Sequence, residues 1–209
     1  MQREKKIDIV KDNKDKQMTY RKQMGRYKKA MDNEFYFEAM LIVYAMLEDR
    51  LRSFLYYIGS FRKVEDKGLN VKKTKGTLRT LYFGSEDAAS GKRIDMNSIS
   101  NKETLIRKTI EYVIACDHTP EDSYLKILKQ EYEGCIDMDG LLTVLDEIDE
   151  WRGYRNEVVH GLLHKNMDSL DQELGEKIEN GMSCARFLDS QVKALKRKNL
   201  IRKTMKIMN

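Results

Sequence analysis

Between positions 33 and 58 the apolar side chains Phe37, Met40, Tyr44, Leu47, Leu51, Phe54 and Ile58 recur at steps of three and four residues. That spacing keeps one face of an α-helix apolar. Asn33 is a suitable N-cap and Gly59 a suitable stop, so a helix is predicted over 33–58. A second helix is predicted over 102–116. Thr119-Pro120-Glu121-Asp122 then restarts the chain, with Thr as N-cap, Pro at the first helical position and acids in the first turn. This third helix should end near Gly134. A fourth starts at Asp137 or Asp139 and continues through Glu150 towards His164. Residues 168–206 give one more helical stretch, with Gly175 and Gly181 as weak points. No useful strand alternation, heptad run or internal repeat appears, and the expected fold is an all-α helical bundle.

The rest of the chain is more polar. Residues 1–32 read as a basic arm, partly helical. Gly68, Gly76, Gly84 and Gly91 punctuate 60–101, which reads as a loop or insertion with short elements carrying Lys72, Lys73, Lys75 and Arg79. The expected organisation is an arm (1–32), a bundle containing that insertion (33–165), and a C-terminal helix with a basic tail (166–209). A length of 209 residues suits one domain with an elaboration. A single proline leaves long helices uninterrupted, and 41% hydrophobic residues can build a core.

Charge adds an asymmetry. Residues 1–30 hold eleven Lys/Arg against four Asp/Glu, and 193–206 hold seven basic residues and no acid, which leaves the interval between them at a net −9. An acidic body with two basic ends suits a polyanion such as RNA, because cations near phosphates release condensed counterions. Solvated helix faces would give the same pattern. The apolar stretch 35–47 contains Glu38 and falls short of the roughly 20 residues that cross a bilayer. No apolar segment follows Met1-Gln2-Arg3-Glu4-Lys5-Lys6, and three cysteines make no disulfide framework. A cytoplasmic protein without membrane association is expected.

Candidate chemistry lies in 141–164. The stripe Leu141, Leu145, Ile148, Val159, Leu162, continued at helical spacing, lands on Arg152 and Arg155. A buried guanidinium needs a carboxylate, a phosphate or a solvent-filled cleft facing it, and an interhelical salt bridge is the structural alternative. His160 follows Arg155 by five residues, a rotation of about 140° on an ideal helix. The pair therefore diverges unless Gly153 or Gly161 distorts the helix or a second chain completes the site.

The run Arg155-Asn156-Glu157-Val158-Val159-His160 resembles the Arg-x(4–6)-His signature of the HEPN superfamily, with its polar residue after the arginine. The resemblance covers about residues 33–165. It implies an antiparallel helical bundle and a metal-independent endoribonuclease. Two chains would meet so that both Arg/His pairs form one composite site. Carried over, Arg155 would stabilise charge on the phosphate, and His160 would move a proton or position the RNA 2′-hydroxyl. Asn156 and Arg152 would support the site, and Glu48, with Asp49 as runner-up, would orient Arg155. Lys72, Lys73, Lys75, Lys196, Arg197 and Lys198 would draw RNA in. No metal or other cofactor is expected, and such proteins often serve in defence, toxin or RNA-processing systems. Other superfamily members are non-catalytic binding or dimerising modules, which is the alternative function.

Two metal patterns are set aside. His160-Gly161-Leu162-Leu163-His164 has the two-turn spacing of a zinc pair, but glycine replaces the general base of the His-Glu-x-x-His motif. Cys116-Asp117-His118 with Cys135 matches no common zinc spacing. No phosphate-binding glycine loop is present.

Overall fold

The structure is a computed structural model that describes residues 13–88, 92–161 and 167–207. Among the described residues every regular element is an α-helix: α1 (Asn13–Asp32), α2 (Tyr36–Tyr57), α3 (Lys72–Phe83), α4 (Ile99–Ala115), α5 (Ser123–Cys135), α6 (Met138–Gly161), α7 (Met167–Lys198) and α8 (Leu200–Thr204). None is long and apolar enough to cross a membrane.

The predicted stripe of α2 forms the centre of the core. Met40, Leu47, Leu51, Phe54 and Ile58 are buried, while Phe37 and Tyr44 are half-buried. α7 runs parallel to α2. Gly175 lies against Tyr36, Gly181 against Val43, and Arg50 pairs with Asp189. The two glycines do not weaken α7, which is continuous through both. They let the helices approach, since a Cβ on Gly181 would lie 2.6 Å from Trp151 Nε1 and 2.9 Å from Val43 Cγ1. α6 packs antiparallel to α7, with Trp151 beside Gly181 and Glu147 Oε2 accepting from Cys184 Sγ at 3.2 Å. α4 bridges α2 and α6, and α5 closes the bundle through the Tyr132–Thr109 hydroxyl pair and Tyr124 Oη on the Ile58 carbonyl.

Several expected boundaries move for local reasons. Asn33 ends α1 instead of starting α2. Its amide donates to the Lys29 carbonyl, and Glu34 turns the chain at φ 59°. Residues 13–32 are not a free arm, because Tyr27 and Ala30 are buried against the bundle. α4 begins three residues early, where Ser98 Oγ accepts from Asn101 N. α5 begins at Ser123 and not after Thr119, because Asp122 is the effective cap and accepts from Tyr124 N and Leu125 N. Asp137 Oδ1 accepts from Gly140 N at the start of α6. Within 60–101, Phe61, Thr74, Leu78 and Met96 are fully buried, so this segment is packed and contains α3.

α7 ends at Asn199, which takes the left-handed region at φ 51°. The break is held by two buried groups. Glu131 of α5 accepts from Leu200 N and Ile201 N, both at 2.9 Å. Arg202 donates to the Tyr56 and Phe61 carbonyls at 3.1 and 2.8 Å and stacks on the Tyr56 ring.

Candidate functional site at the C-terminal end of α6

The buried face of α6 is Leu141, Val144, Leu145, Ile148, Trp151 and Val158. A step of three to Trp151 replaces the expected step of four to Arg152, so the core stripe passes beside Arg152. Val159, expected inside, is 41% exposed. Leu162 and His164 lie outside the described residues.

Arg152 conforms to the salt-bridge alternative. Its guanidinium pairs with Asp149 one turn earlier, and its Nε lies 3.8 Å from Glu103 Oε2 on α4. Glu103 is buried, and its other oxygen has no hydrogen-bond partner. Burial raises its carboxyl to about 7, and Arg152 only partly offsets this. Sequence reasoning missed Glu103, although the signal used for the arginines applies to it. The buried face Ile99, Ile106, Ile110, Val113 of α4 passes through the charged pair Lys102-Glu103.

This predicts a pH dependence. The folded protein holds the Glu103 proton more tightly than the unfolded chain, so this stability is full below about 4.5, the ordinary carboxyl value, and is lost as pH rises through about 7. Glu103→Gln should flatten the decline in urea midpoint between those two values. An identical decline in the variant would refute the assignment.

Arg155 has a different environment. Its Nη1 donates to Asn156 Oδ1 at 2.9 Å, and its guanidinium carbon sits 4.6 Å from the centroid of the Tyr44 ring on α2. Its Nε is buried with no hydrogen-bond partner, and among the described residues no carboxylate pairs with it. A cation over an aromatic face gains electrostatic stabilisation without neutralising its charge.

Neither expected carboxylate reaches it. Glu48 Oε1 accepts from Arg52 and from the fully buried Lys102, each at 3.3 Å. Asp49 pairs with Lys16 and Arg50 and accepts from Tyr20. Burial alone would raise the Asp49 carboxyl, but Lys16 and Arg50 together hold it below its ordinary value. On α2 it is Tyr44, one turn before Glu48, that meets Arg155.

His160 is exposed. α6 stays helical through Gly153 to Gly161, so nothing relieves the rotation of about 140° between Arg155 and His160. The side-chain Oδ1 of Asn156 accepts from Arg155. One chain alone does not bring the arginine and the histidine together.

The basic residues lie elsewhere. Lys72 and Lys75 are exposed at the start of α3, and Lys73 Nζ donates to the Met205 carbonyl. Lys196, Arg197 and Lys198 are exposed in the last turn of α7. The Arg155 end is level with Lys177, whose Nζ lies 5.8 Å from the centre of the Tyr154 ring. Nineteen residues of α7 separate Lys177 from Lys196, about 28 Å at a rise of about 1.5 Å each. The intervening surface of α6 is acidic, carrying Asp139, Asp146, Glu147, Asp149 and Glu150.

Among the described residues no three His, Cys, Asp or Glu side chains gather where they could hold a metal. Cys116 Sγ donates to the His118 carbonyl and Cys135 Sγ to the Glu131 carbonyl. Comparison with protein-family models, curated proteins and solved structures found no match for this chain.

Proposed function

We propose that the chain is a metal-independent endoribonuclease of HEPN type whose composite site forms between two copies. The observation that carries this reading is Arg155, a partly buried guanidinium with an unsatisfied Nε and no carboxylate partner among the described residues. Such a group has charge and donors to offer an incoming phosphate. Tyr44 and Asn156 hold it without cancelling it.

The divergence of Arg155 and His160 supports the second copy, since each chain supplies one direction of the site. So do Leu41 and Val159, 56% and 41% exposed, which lie one turn from Tyr44 and Arg155 on the same two helices. Contacts across such a patch would bury apolar area at the centre of an isologous interface.

In this mechanism the guanidinium of Arg155 binds the scissile phosphate and stabilises the negative charge that grows on its non-bridging oxygens. His160 takes the proton from the RNA 2′-hydroxyl, whose oxygen attacks phosphorus as the P–O5′ bond breaks, and the leaving 5′-oxygen takes a proton from water. The products carry a 2′,3′-cyclic phosphate and a 5′-hydroxyl. Incubation of labelled single-stranded RNA with the protein in EDTA should give fragments with these ends.

The acidic surface of α6 repels RNA phosphate near the Arg155 end and so favours a second reading, a non-catalytic HEPN-like module that binds RNA at its basic ends, or binds protein. RNA that is bound but left intact would establish it in place of the nuclease.

A further inference from the structure

The described part of the N-terminal basic end, in α1, and the C-terminal basic end are far apart in sequence and meet in the fold. Tyr20 of α1 is the junction. Its hydroxyl donates to Asp49 Oδ2 at 2.8 Å and accepts from Arg50 Nε at 2.7 Å. Arg50 Nη1 reaches Asp189 of α7 at 2.6 Å, Lys193 pairs with the same carboxylate at 2.6 Å, and Lys16 pairs with Asp49 at 2.7 Å. The network therefore joins the first turns of α1, antiparallel, to the last turns of α7. Its two acids and three cations leave the network a net charge of +1, so the junction does not interrupt the neighbouring positive charge.

Two shallow grooves flank this junction. Arg21 and Lys28 line one on α1, together with Tyr20 and Met24, and Lys193, Lys196 and Arg197 line the other on α7. The positive surface continues past the break at Asn199. Lys203 Nζ donates to the Lys198 carbonyl, and Lys73 of α3 donates to the Met205 carbonyl. α7 is thus electrically divided, with Glu173, Glu176 and Glu179 in its first half and the basic cluster in its last turns. A membrane-binding face would carry large apolar side chains beside its cations. Among the described residues, of the exposed ones only Met18 lies on these elements, while Phe35, Leu41, Ile114 and Val159 lie elsewhere.

We propose that this band, built by α1, the end of α7, α8 and the start of α3, is a docking track for the phosphate backbone of single-stranded RNA, physically separate from the Arg155 end. Resting on the endoribonuclease reading, it also sets a substrate length. A strand held at the Lys196 end of the band and cut at Arg155 spans at least about 28 Å, on the order of eight nucleotides at a stacked spacing of about 3.4 Å.

The test uses the full chain, labelled single-stranded RNAs of about 4 and about 16 nucleotides, and fluorescence anisotropy over a salt series. The triple variant Arg21→Glu, Lys196→Glu, Arg197→Glu should bind the longer RNA at least about tenfold more weakly. Its log-affinity against log-salt slope should be shallower by about 2, because each lost single-strand phosphate contact removes about 0.7. Lys108→Glu, which removes an exposed cation off the band, should stay within about twofold of wild type. Equal binding by wild type and the triple variant would overturn the proposal, as would preference for anionic vesicles over RNA or no RNA binding by wild type. Tight, salt-sensitive binding lost only in the triple variant, with no cleavage by any of these proteins, would support the band while the nuclease reading fails.

Discussion

Glu131→Ala should destabilise the fold by about 3 kcal/mol, because it leaves the buried N–H of Ile201 and the part-buried N–H of Leu200 without an acceptor, at about 1–3 kcal/mol for a buried group. Burial pushes the Glu131 carboxyl above its ordinary value, and those two N–H groups pull the other way. Burial of the acid is therefore tolerated because it caps the restart of the chain at α8. Glu131→Gln keeps one acceptor and should lose about half as much. The readout is urea unfolding followed through Trp151, the single tryptophan and a buried one. A change in Glu131→Ala below about 0.5 kcal/mol would mean that the break at Asn199 is held by Arg202 and by apolar packing alone.

A comparable loss, about 3 kcal/mol, is expected for Gly181→Val. Even a Cβ there would overlap the indole ring of Trp151 at 2.6 and 2.8 Å and Val43 at 2.9 Å. Both neighbours are buried at the crossing of α2, α6 and α7, so none can yield without moving a helix. Valine adds the χ1 restriction of a β-branched residue within a helix. Gly153→Val is the internal control. It lies on α6, where an added Cβ would meet nothing within 4 Å, so it should cost under about 1 kcal/mol. Similar losses at the two glycines would show that backbone propensity, and not close approach, governs Gly181.

Much of this architecture is legible from periodicity. The stripe of α2 places Leu47, Leu51, Phe54 and Ile58 inside because a step pattern of three and four admits no other face. The same rule is ambiguous at single positions. Between Ile148 and Arg155 either Trp151 or Arg152 fits, and apolar burial selects the tryptophan. Helix starts depend on which of several nearby polar residues reaches back to the free N–H groups, as at Asp122 in place of Thr119. Such a choice is made by local geometry and has no signature in spacing.

The candidate site divides along the same line. Arg155 and Arg152 stand out in the sequence as charges interrupting an apolar face, but their partners come from α2 and α4, distant in the chain. Tyr44 was visible only as a stripe residue and Glu103 only as half of a charged pair, so the fold alone distinguishes the neutralised Arg152 from the unneutralised Arg155. The basic ends were legible as charge counts. Their convergence was not, since it follows from the parallel course of α2 and α7 and the antiparallel return of α1.

The most direct measurement of the central claim is cleavage of single-stranded RNA in EDTA by wild type, Arg155→Ala and His160→Ala, each shown to unfold at the same urea midpoint. Wild type should cut, and each variant should lose about 10²- to 10⁴-fold in rate, the range expected for removing a general base or a phosphate-stabilising donor. Cutting by either variant at the wild-type rate, or cutting by wild type that EDTA abolishes, would contradict the account.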